Sequence, residues 1–324
     1  MKKIGVFTSG GDAPGMNACI RAVVRTGIHH GLEVVGITKG YQGILDKNFK
    51  VMNSHSVSGI IQTGGTILKS ARCAEFRTKK GRKRAYKNLK AAGIEGIVAI
   101  GGDGTFTGAN VFMKEFPDIK FIGCPGTIDN DLYGTDFTIG YDTAINTAME
   151  AIDKIKDTAS ADARLFFIEV MGRDVGFIAL RSAIAAGAET VLLPETKTDI
   201  KQLVKTIEAQ YKKKEGSSII VIVAEGEEMG GAVKVAKKVA KKFTALPTRV
   251  TILGHVQRGG SPTAAERVNA SWMGVEAVRA LVAGKKGLMV GVVNNKVVHT
   301  PFEKAIKHHR EISPTLLDMI EILA

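Results

Sequence analysis

Asp129 and Asp131 stand two residues apart in the segment Gly123-Cys124-Pro125-Gly126-Thr127-Ile128-Asp129-Asn130-Asp131, directly after the apolar run Ile119–Ile122. That run reads as a strand, and carboxylates just past a strand's carboxyl end sit where open α/β sheets place their ligand crevice. A second loop of the same kind, Gly101-Gly102-Asp103-Gly104-Thr105, follows the apolar strand Gly96–Ile100. Two strands that each end in a glycine-and-aspartate loop point to a magnesium–phosphate site and to phosphoryl transfer. Asp103 suits magnesium, a hard cation that takes one or two carboxylates and completes its shell with phosphate oxygens.

A third loop ends the first strand pattern, Ile4–Thr8, in Thr8-Ser9-Gly10-Gly11-Asp12-Ala13-Pro14-Gly15-Met16-Asn17. Glycines there let backbone N–H groups approach phosphate oxygens with no Cβ in the way. The helix that follows adds unpaired N–H donors and the positive end of its dipole. The loop lacks the Gly-Lys-Ser/Thr ending of a Walker A motif and is not a Gly-x-Gly-x-x-Gly fingerprint. Gly-Gly-Asp-Gly by itself also occurs in lipid kinases and NAD kinases, so these loops name the chemistry without naming the acceptor.

The elements that must position these loops alternate along the chain. Strand-like runs occur at 4–8, 33–38, 96–100, 120–123, 165–170, 190–193, 218–224 and 248–253, with helical patterns at 17–29, 141–157, 200–213 and 264–283 between them. Such alternation predicts α/β architecture with largely parallel sheets. No internal repeat or low-complexity tract is present, and a break near Gly140 is expected where the phosphate-type motifs stop. A length of 324 residues, 44% hydrophobic, is enough for two α/β domains with real cores.

The start of the chain does not resemble a signal peptide, and no apolar run approaches a membrane span. Cys19, Cys73 and Cys124 follow no metal-ligand spacing. A cytoplasmic protein with no membrane partner is the expectation. The formal charge of +13, from 45 Lys+Arg against 32 Asp+Glu, fits either an enzyme for small polyanions or a nucleic-acid binder. The run Lys79-Lys80-Gly81-Arg82-Lys83-Arg84 reads as a solvated helix start or a nucleotide or effector contact, and its lack of interleaved aromatics speaks against nucleic acid. Lys234–Lys242 reads as an amphipathic helix with a lysine outer face, and Trp272 as a packing residue.

Taken together, the three loops, Glu169-Val170-Met171-Gly172-Arg173 and Leu253-Gly254-His255-Val256-Gln257-Arg258-Gly259-Gly260-Ser261-Pro262 resemble the bacterial-type ATP-dependent 6-phosphofructokinases, in the same order and over essentially the whole chain. The resemblance implies two three-layer α/β/α (Rossmann-like) domains with largely parallel sheets and an active site in the cleft between them. The larger, ATP-binding domain is expected at 1–140 plus about 257–307. A smaller, sugar-phosphate-binding domain is expected at about 141–256 plus 308–324. It further implies a homotetramer with active sites shared between subunits, fructose 6-phosphate and ATP as substrates, and Mg2+.

By the same resemblance, Asp129 accepts the proton of the sugar's 1-hydroxyl, and Arg173 stabilises the charge on the transferring phosphoryl. Thr127 orients that group, Gly11 donates its backbone N–H to it, and Arg72 bridges both phosphates. Asp103 binds magnesium, with Asp131 in support. Tyr41, Cys73, Gly102, Gly104, Thr105 and Gly108 line the nucleotide. Arg164, Arg249, His255 and Arg258 clamp the sugar phosphate, the first two from a neighbouring subunit. Ile128, Met171 and Gly172 pack near the sugar, and Glu225 accepts from its hydroxyls. Arginine forks suit the phosphate dianion better than lysine point charges.

Glycine at 104 and at 126, where pyrophosphate-dependent relatives carry aspartate and lysine, leaves room for the α-phosphate of ATP. A second anion site between subunits, where ADP activates and phosphoenolpyruvate inhibits, is implied at Arg21, Arg25, Lys156, Gly187, Glu189, and Lys213 or Lys214. Ser54 and Gly59 depart from that pattern by two charges. A kinase for another sugar phosphate, such as tagatose 6-phosphate, would share the same clamp. A non-catalytic subunit would not need the Asp103, Asp129 and Arg173 set.

Overall fold

The computed structural model describes residues 1–214, 217–307 and 311–323. In chain order they form β1 (Lys3–Thr8), α1 (Met16–His29), β2 (Glu33–Ile37), α2 (Gly40–Leu45), β3 (Phe49–Met52), α3 (Lys79–Ala91), β4 (Gly96–Gly101), α4 (Asp103–Glu115), β5 (Lys120–Pro125) and α5 (Tyr141–Ala161). There follow β6 (Leu165–Val170), α6 (Phe177–Ala186), β7 (Thr190–Leu192), α7 (Ile200–Lys213), β8 (Ile219–Ala224), α8 (Ala232–Ala240) and β9 (Thr248–Ile252). The chain ends with α9 (Ala264–Val282), β10 (Leu288–Val293), β11 (Lys296–Pro301), α10 (Phe302–Lys307) and α11 (Pro314–Leu323). Two compact units result, Met1–Thr143 with Arg258–Arg310, and Ala144–Gln257 with Glu311–Ala324. Residues 308–310 and 324, where the sequence reading put part of the smaller domain, lie outside the described residues.

The first unit holds a seven-stranded sheet in the order β11-β10-β5-β4-β1-β2-β3. Its central strands are apolar on both faces because helices cover both, the pattern that parallel sheets require. On one face Phe7, Ile97, Ala99 and Phe121 pack with Phe106 and Phe112 of α4, Leu89 of α3 and Phe302 of α10. On the other, α1 and α9 pack together against the sheet, and Cys124 Sγ reaches the Met273 carbonyl at 3.6 Å. Thr78 caps α3 by accepting from Gly81 N at 3.0 Å, which is why the lysine-rich run starts a helix there.

Three strands of this sheet were missing from the sequence reading. β2 pairs antiparallel with β3, and β10 with β11, so the sheet is mixed at both edges and parallel in the middle. The β10–β11 hairpin turns on Asn294 and Asn295, with φ of 50° and 57°. Two consecutive left-handed residues make the tight turn whose twist matches the flanking strands, and the Asn-Asn pair between two apolar runs was the available signal.

The second unit holds a four-stranded sheet, β7-β8-β6-β9, parallel throughout. The run Ile219–Ala224 is buried at every position. Leu165, Phe167, Val221 and Val223 meet Leu203 and Ile207 of α7 and Val235 and Val239 of α8, while α6 and α11 pack together. α8 buries Ala232, Val235, Ala236 and Val239 and leaves its lysines outside, as its periodicity predicts. Among the described residues no helix is long and apolar enough to cross a membrane.

Candidate active site

β5, β4 and β1 are consecutive neighbours in the sheet, so the three glycine loops leave the same edge side by side. The register pairs Gly101 with Pro125, Gly126 N donates to Gly101 O at 2.9 Å and Ser9 N to Ile100 O at 2.9 Å. The chain continues from β1 to β2 on one side while β4 lies on the other. The loops therefore surround the switch point where open α/β sheets bind ligands. Gly102 lies beside Thr127, whose Cβ is 3.7 Å from where a Cβ on Gly102 would stand.

The 126–131 loop is rigidly held. Gly126 bridges to Ile139, Thr138 Oγ1 donates to Thr127 O at 2.6 Å, and Asn130 Oδ1 accepts from Thr138 N at 2.9 Å. Asn130 takes a left-handed φ of 55°, which Asn tolerates better than most residues. The turn leaves Asp129 only 7% exposed, with its N–H donating to Thr127 Oγ1 at 3.2 Å. Asp103 is exposed in the first turn of α4. No group of three or more metal-ligating side chains occurs among the described residues. One carboxylate beside phosphate oxygens is a donor set that fits magnesium and fits few softer metals.

The two glycines that bear on the donor differ. A Cβ on Gly104 would meet nothing within 4 Å, whereas one on Gly126 would stand 3.0 Å from Met16 Cε and 3.1 Å from Gly101 N. Open space for a phosphate is therefore visible at Gly104. At Gly126 close packing of the β4 and β5 exits also favours glycine, whatever room it leaves for a phosphate.

The nucleotide candidates fall in the same unit. Tyr41 is buried, stacks on Phe76 at 3.9 Å and donates to Thr105 O at 2.6 Å. Its ring faces Gly108, where a Cβ would approach it to 3.1 Å, so it braces the start of α4. Arg72 is exposed and Cys73 half-buried, its thiol pushed up by burial. Arg258, expected on the sugar phosphate, lies against the first loop, with Nη1 donating to Asp12 O at 3.3 Å.

Sequence reasoning missed Glu266. It is 3% exposed, and its Oε2 accepts from Thr143 N at 3.3 Å and from Thr143 Oγ1 at 3.4 Å. Gly15 has φ 101°, and a Cβ there would come within 2.9 Å of Glu266 Cγ, so the glutamate underlies the first glycine loop. The one signal was Thr263 three residues before Glu266, a helix-capping spacing. Burial, with Asp142 nearby, pushes the Glu266 carboxyl up to about 7.

The folded chain thus holds this proton more tightly than the unfolded chain does. Its contribution to stability is full below about pH 4.5 and is lost as the pH rises through about 7. At about 1.4 kcal/mol per unit, the swing is roughly 3 kcal/mol. Glu266→Gln is expected to flatten this slope between pH 5 and 8, and urea melts across that range would check it. An unchanged slope would mean that Glu266 titrates normally.

In the second unit, Glu169 and Val170 end β6 and lead into Met171-Gly172-Arg173-Asp174-Val175. Val175 N donates to Gly172 O at 3.1 Å, closing a tight turn with Arg173 at φ 55°. A non-glycine residue held there costs of order 1–3 kcal/mol, and such strain clusters at functional sites. Glu225 follows β8, and His255 lies in the 3-10 turn after β9. Arg173, Glu225 and His255 therefore gather at the carboxyl ends of β6, β8 and β9. Arg164 and Arg249 lie at the opposite ends, where Arg249 pairs in register with Phe166. Arg164 is engaged by Asp162 Oδ2 at 2.7 Å. At about 3.3 Å per residue along the strands, Arg164 stands about 20 Å from the end of β6 and Arg249 about 13 Å.

The expected effector residues also divide between the units. Lys156, Glu189 and Lys214 line a cleft of about 590 Å³ in the second unit, together with Ser160 and Ser218. Lys214 pairs with Glu189, Lys156 Nζ donates to Ala186 O, and Gly187 ends α6 at φ 59°. Lys213 ends α7 just before Lys214. Arg21 and Arg25 lie one turn apart on α1 of the first unit, half-buried and exposed. Gly59 has φ 69° with open space around it, a conformation that glycine adopts without strain.

Residues 3–281 match the family model described as Phosphofructokinase. The chain is 52% identical over 324 residues to ATP-dependent 6-phosphofructokinase 2 of Bacteroides thetaiotaomicron, covering 100% of this chain and 99% of that one. It is 53% identical to ATP-dependent 6-phosphofructokinase 1 of Thermus thermophilus, covering 100% of each. Among solved structures it resembles Pichia pastoris phosphofructokinase in the T-state, with TM-score 0.89 and 38% identity, over 94% of this chain and 35% of that one. A pyrophosphate-dependent phosphofructokinase from Marinobacter aquaeolei, 21% identical, shares the fold with TM-score 0.86 over 100% of this chain and 91% of that one.

Proposed function

This chain belongs to the phosphofructokinase family, and from that premise we propose how its residues transfer the γ-phosphoryl of ATP to the 1-hydroxyl of fructose 6-phosphate. The observation that carries the proposal is the gathering of three glycine loops, two with their aspartates, at the ends of the adjacent strands β1, β4 and β5. Phosphoryl transfer asks the protein mainly for positioning and for charge stabilisation, and strand-end loops on a closely packed sheet supply both.

Asp129 takes the proton from the 1-hydroxyl, from a loop that Asn130 and Thr138 hold in place. Thr127 and the Gly11 N–H orient the transferring group, and Arg72 and Arg173 balance its charge. Asp103 would hold Mg2+, which neutralises phosphate charge when bound, and Asp131 supports that end of the site. Gly102, Gly104 and Thr105 present the α4 amino terminus to the nucleotide, beside Tyr41, Cys73 and Gly108. The first unit serves ATP and the second the sugar phosphate, through Met171, Gly172, Glu225 and His255, with Ile128 and Arg258 from the first. The compartment is the cytoplasm, where three free cysteines stay reduced.

Arg164 and Arg249 lie toward the strand ends opposite Arg173 and Glu225, which supports assigning them to a sugar phosphate other than the one their own chain's Arg173 and Glu225 serve. They serve a neighbouring subunit's site in a homotetramer. Mixing inactive Asp129→Asn and Arg249→Ala chains and reassembling them should then restore activity, because some sites draw both intact halves. No recovery would mean that each chain builds its own site.

The reaction is tested by steady-state assay with fructose 6-phosphate, tagatose 6-phosphate, and ATP or pyrophosphate as donor. Turnover is expected with ATP and fructose 6-phosphate. Turnover with pyrophosphate alone would overturn the donor assignment. ADP or phosphoenolpyruvate binds at an effector site between subunits, to which the Lys156–Glu189–Lys214 cleft and the Arg21 and Arg25 side chains contribute. An Arg25→Ala variant that responds to both as the parent does would sink that assignment.

A further inference from the structure

We propose that Glu225 is a positioning residue for Arg173, holding the arginine's strained backbone through one carboxylate oxygen while the other meets the sugar. The inference rests on the reading above, in which Arg173 acts at the transferring phosphoryl and Glu225 accepts from a sugar hydroxyl. Glu225 Oε1 accepts from Arg173 N at 2.7 Å and from Gly172 N at 3.3 Å. Two N–H groups of one turn therefore converge on a single oxygen, and the bond to the charged acceptor is of the stronger kind.

The parallel register brings this about. Val170 pairs with Ala224, and Glu225 N donates to Val170 O at 2.9 Å, so the first residue past β8 stands beside the turn that follows β6. The next residue closes the other side. A Cβ on Gly226 would collide with the Arg173 carbonyl oxygen, so the chain beyond β8 wraps the turn closely and only glycine fits. A left-handed arginine persists only where its surroundings over-determine it, and here Glu225 and Gly226 are those surroundings.

The guanidinium itself is not held. The Arg173 side chain is 77% exposed, and its Nε lies 3.2 Å from the equally exposed Asp174, a contact of little strength in water. The direction in which Arg173 leaves the chain is therefore set by its backbone, and the backbone by Glu225. One carboxylate then links occupancy of the sugar site to the orientation of the arginine.

The test compares Glu225→Ala with Glu225→Gln, which keeps an oxygen able to accept from the two N–H groups. The alanine variant is expected to lose kcat by ~10²-fold, the scale of a misplaced catalytic group, and to raise KM for fructose 6-phosphate. The glutamine variant is expected to raise KM yet keep most of kcat. Combined with Arg173→Ala, Glu225→Ala should add little further loss in kcat. Amide hydrogen exchange at 171–174 should quicken in the alanine variant and stay slow in the glutamine one. Full kcat in Glu225→Ala, unchanged exchange, or losses that multiply in the double variant would each overturn the proposal. If Arg173→Ala alone keeps its kcat, the role of Arg173 fails, and hydrogen exchange still decides whether Glu225 holds the turn.

Discussion

Asp129→Asn is expected to lower kcat by about 10²–10⁴-fold, the usual contribution of a positioned general base. The substitution keeps the shape of the side chain, while it removes the charge and the capacity to take a proton and turns one acceptor oxygen into an NH2 donor. The loop stays in place, because it is held by Thr138 on the Thr127 carbonyl, Asn130 on the Thr138 N–H and the Gly126–Ile139 bridge. KM for fructose 6-phosphate should therefore move by no more than a few-fold, and the melting temperature by little. Steady-state kinetics with both substrates varied, beside a thermal melt, would check this. A kcat within tenfold of the parent would remove Asp129 as the base. A loss of the same size with a collapsed melting temperature would assign it to the fold.

Gly104→Asp carries the second large effect, on the donor. A side chain there points into open space, so no packing is disturbed. A carboxylate in the first turn of a helix is favoured by the dipole by about 0.3–1 kcal/mol, so stability should hold or rise slightly. The same charge stands next to Asp103 and faces the nucleotide's phosphates, and like-charge juxtaposition costs several kcal/mol. At about 1.4 kcal/mol per tenfold, kcat/KM for ATP should fall by about 10²-fold. The readout is kcat/KM for ATP at saturating fructose 6-phosphate, with a melt as control. An unchanged value would place the donor elsewhere. Gly126 offers no equally clean probe, since any Cβ there presses on Met16 and on the Gly101 backbone.

These two predictions rest on residues legible from the sequence for a local reason. A strand ending in Gly10-Gly11, in Gly101–Thr105 or in Gly126–Asp131 announces its own chemistry, because strand, turn and helix start all lie within a dozen residues. Apolar runs and the lysine-faced helix at 232–240 were visible for the same reason, since periodicity along the chain reports which face is buried. Order and register are different in kind. Only the sheet order β5-β4-β1 brings the three loops together, and only the parallel β6–β9 register sets Arg249 near Arg164, toward the strand end away from Arg173.

Glu225 was named only through the family resemblance, and its hold on the Arg173 backbone follows from pairing β6 with β8, strands some fifty residues apart in the chain. Glu266 went unnoticed in the sequence and is a buried acid beneath a glycine loop. The chemistry of each loop can be read along the chain, because it needs particular side chains next to particular turns. The tertiary structure alone decided which groups meet, which are buried and which are kept apart, because those depend on contacts between segments that no local pattern encodes.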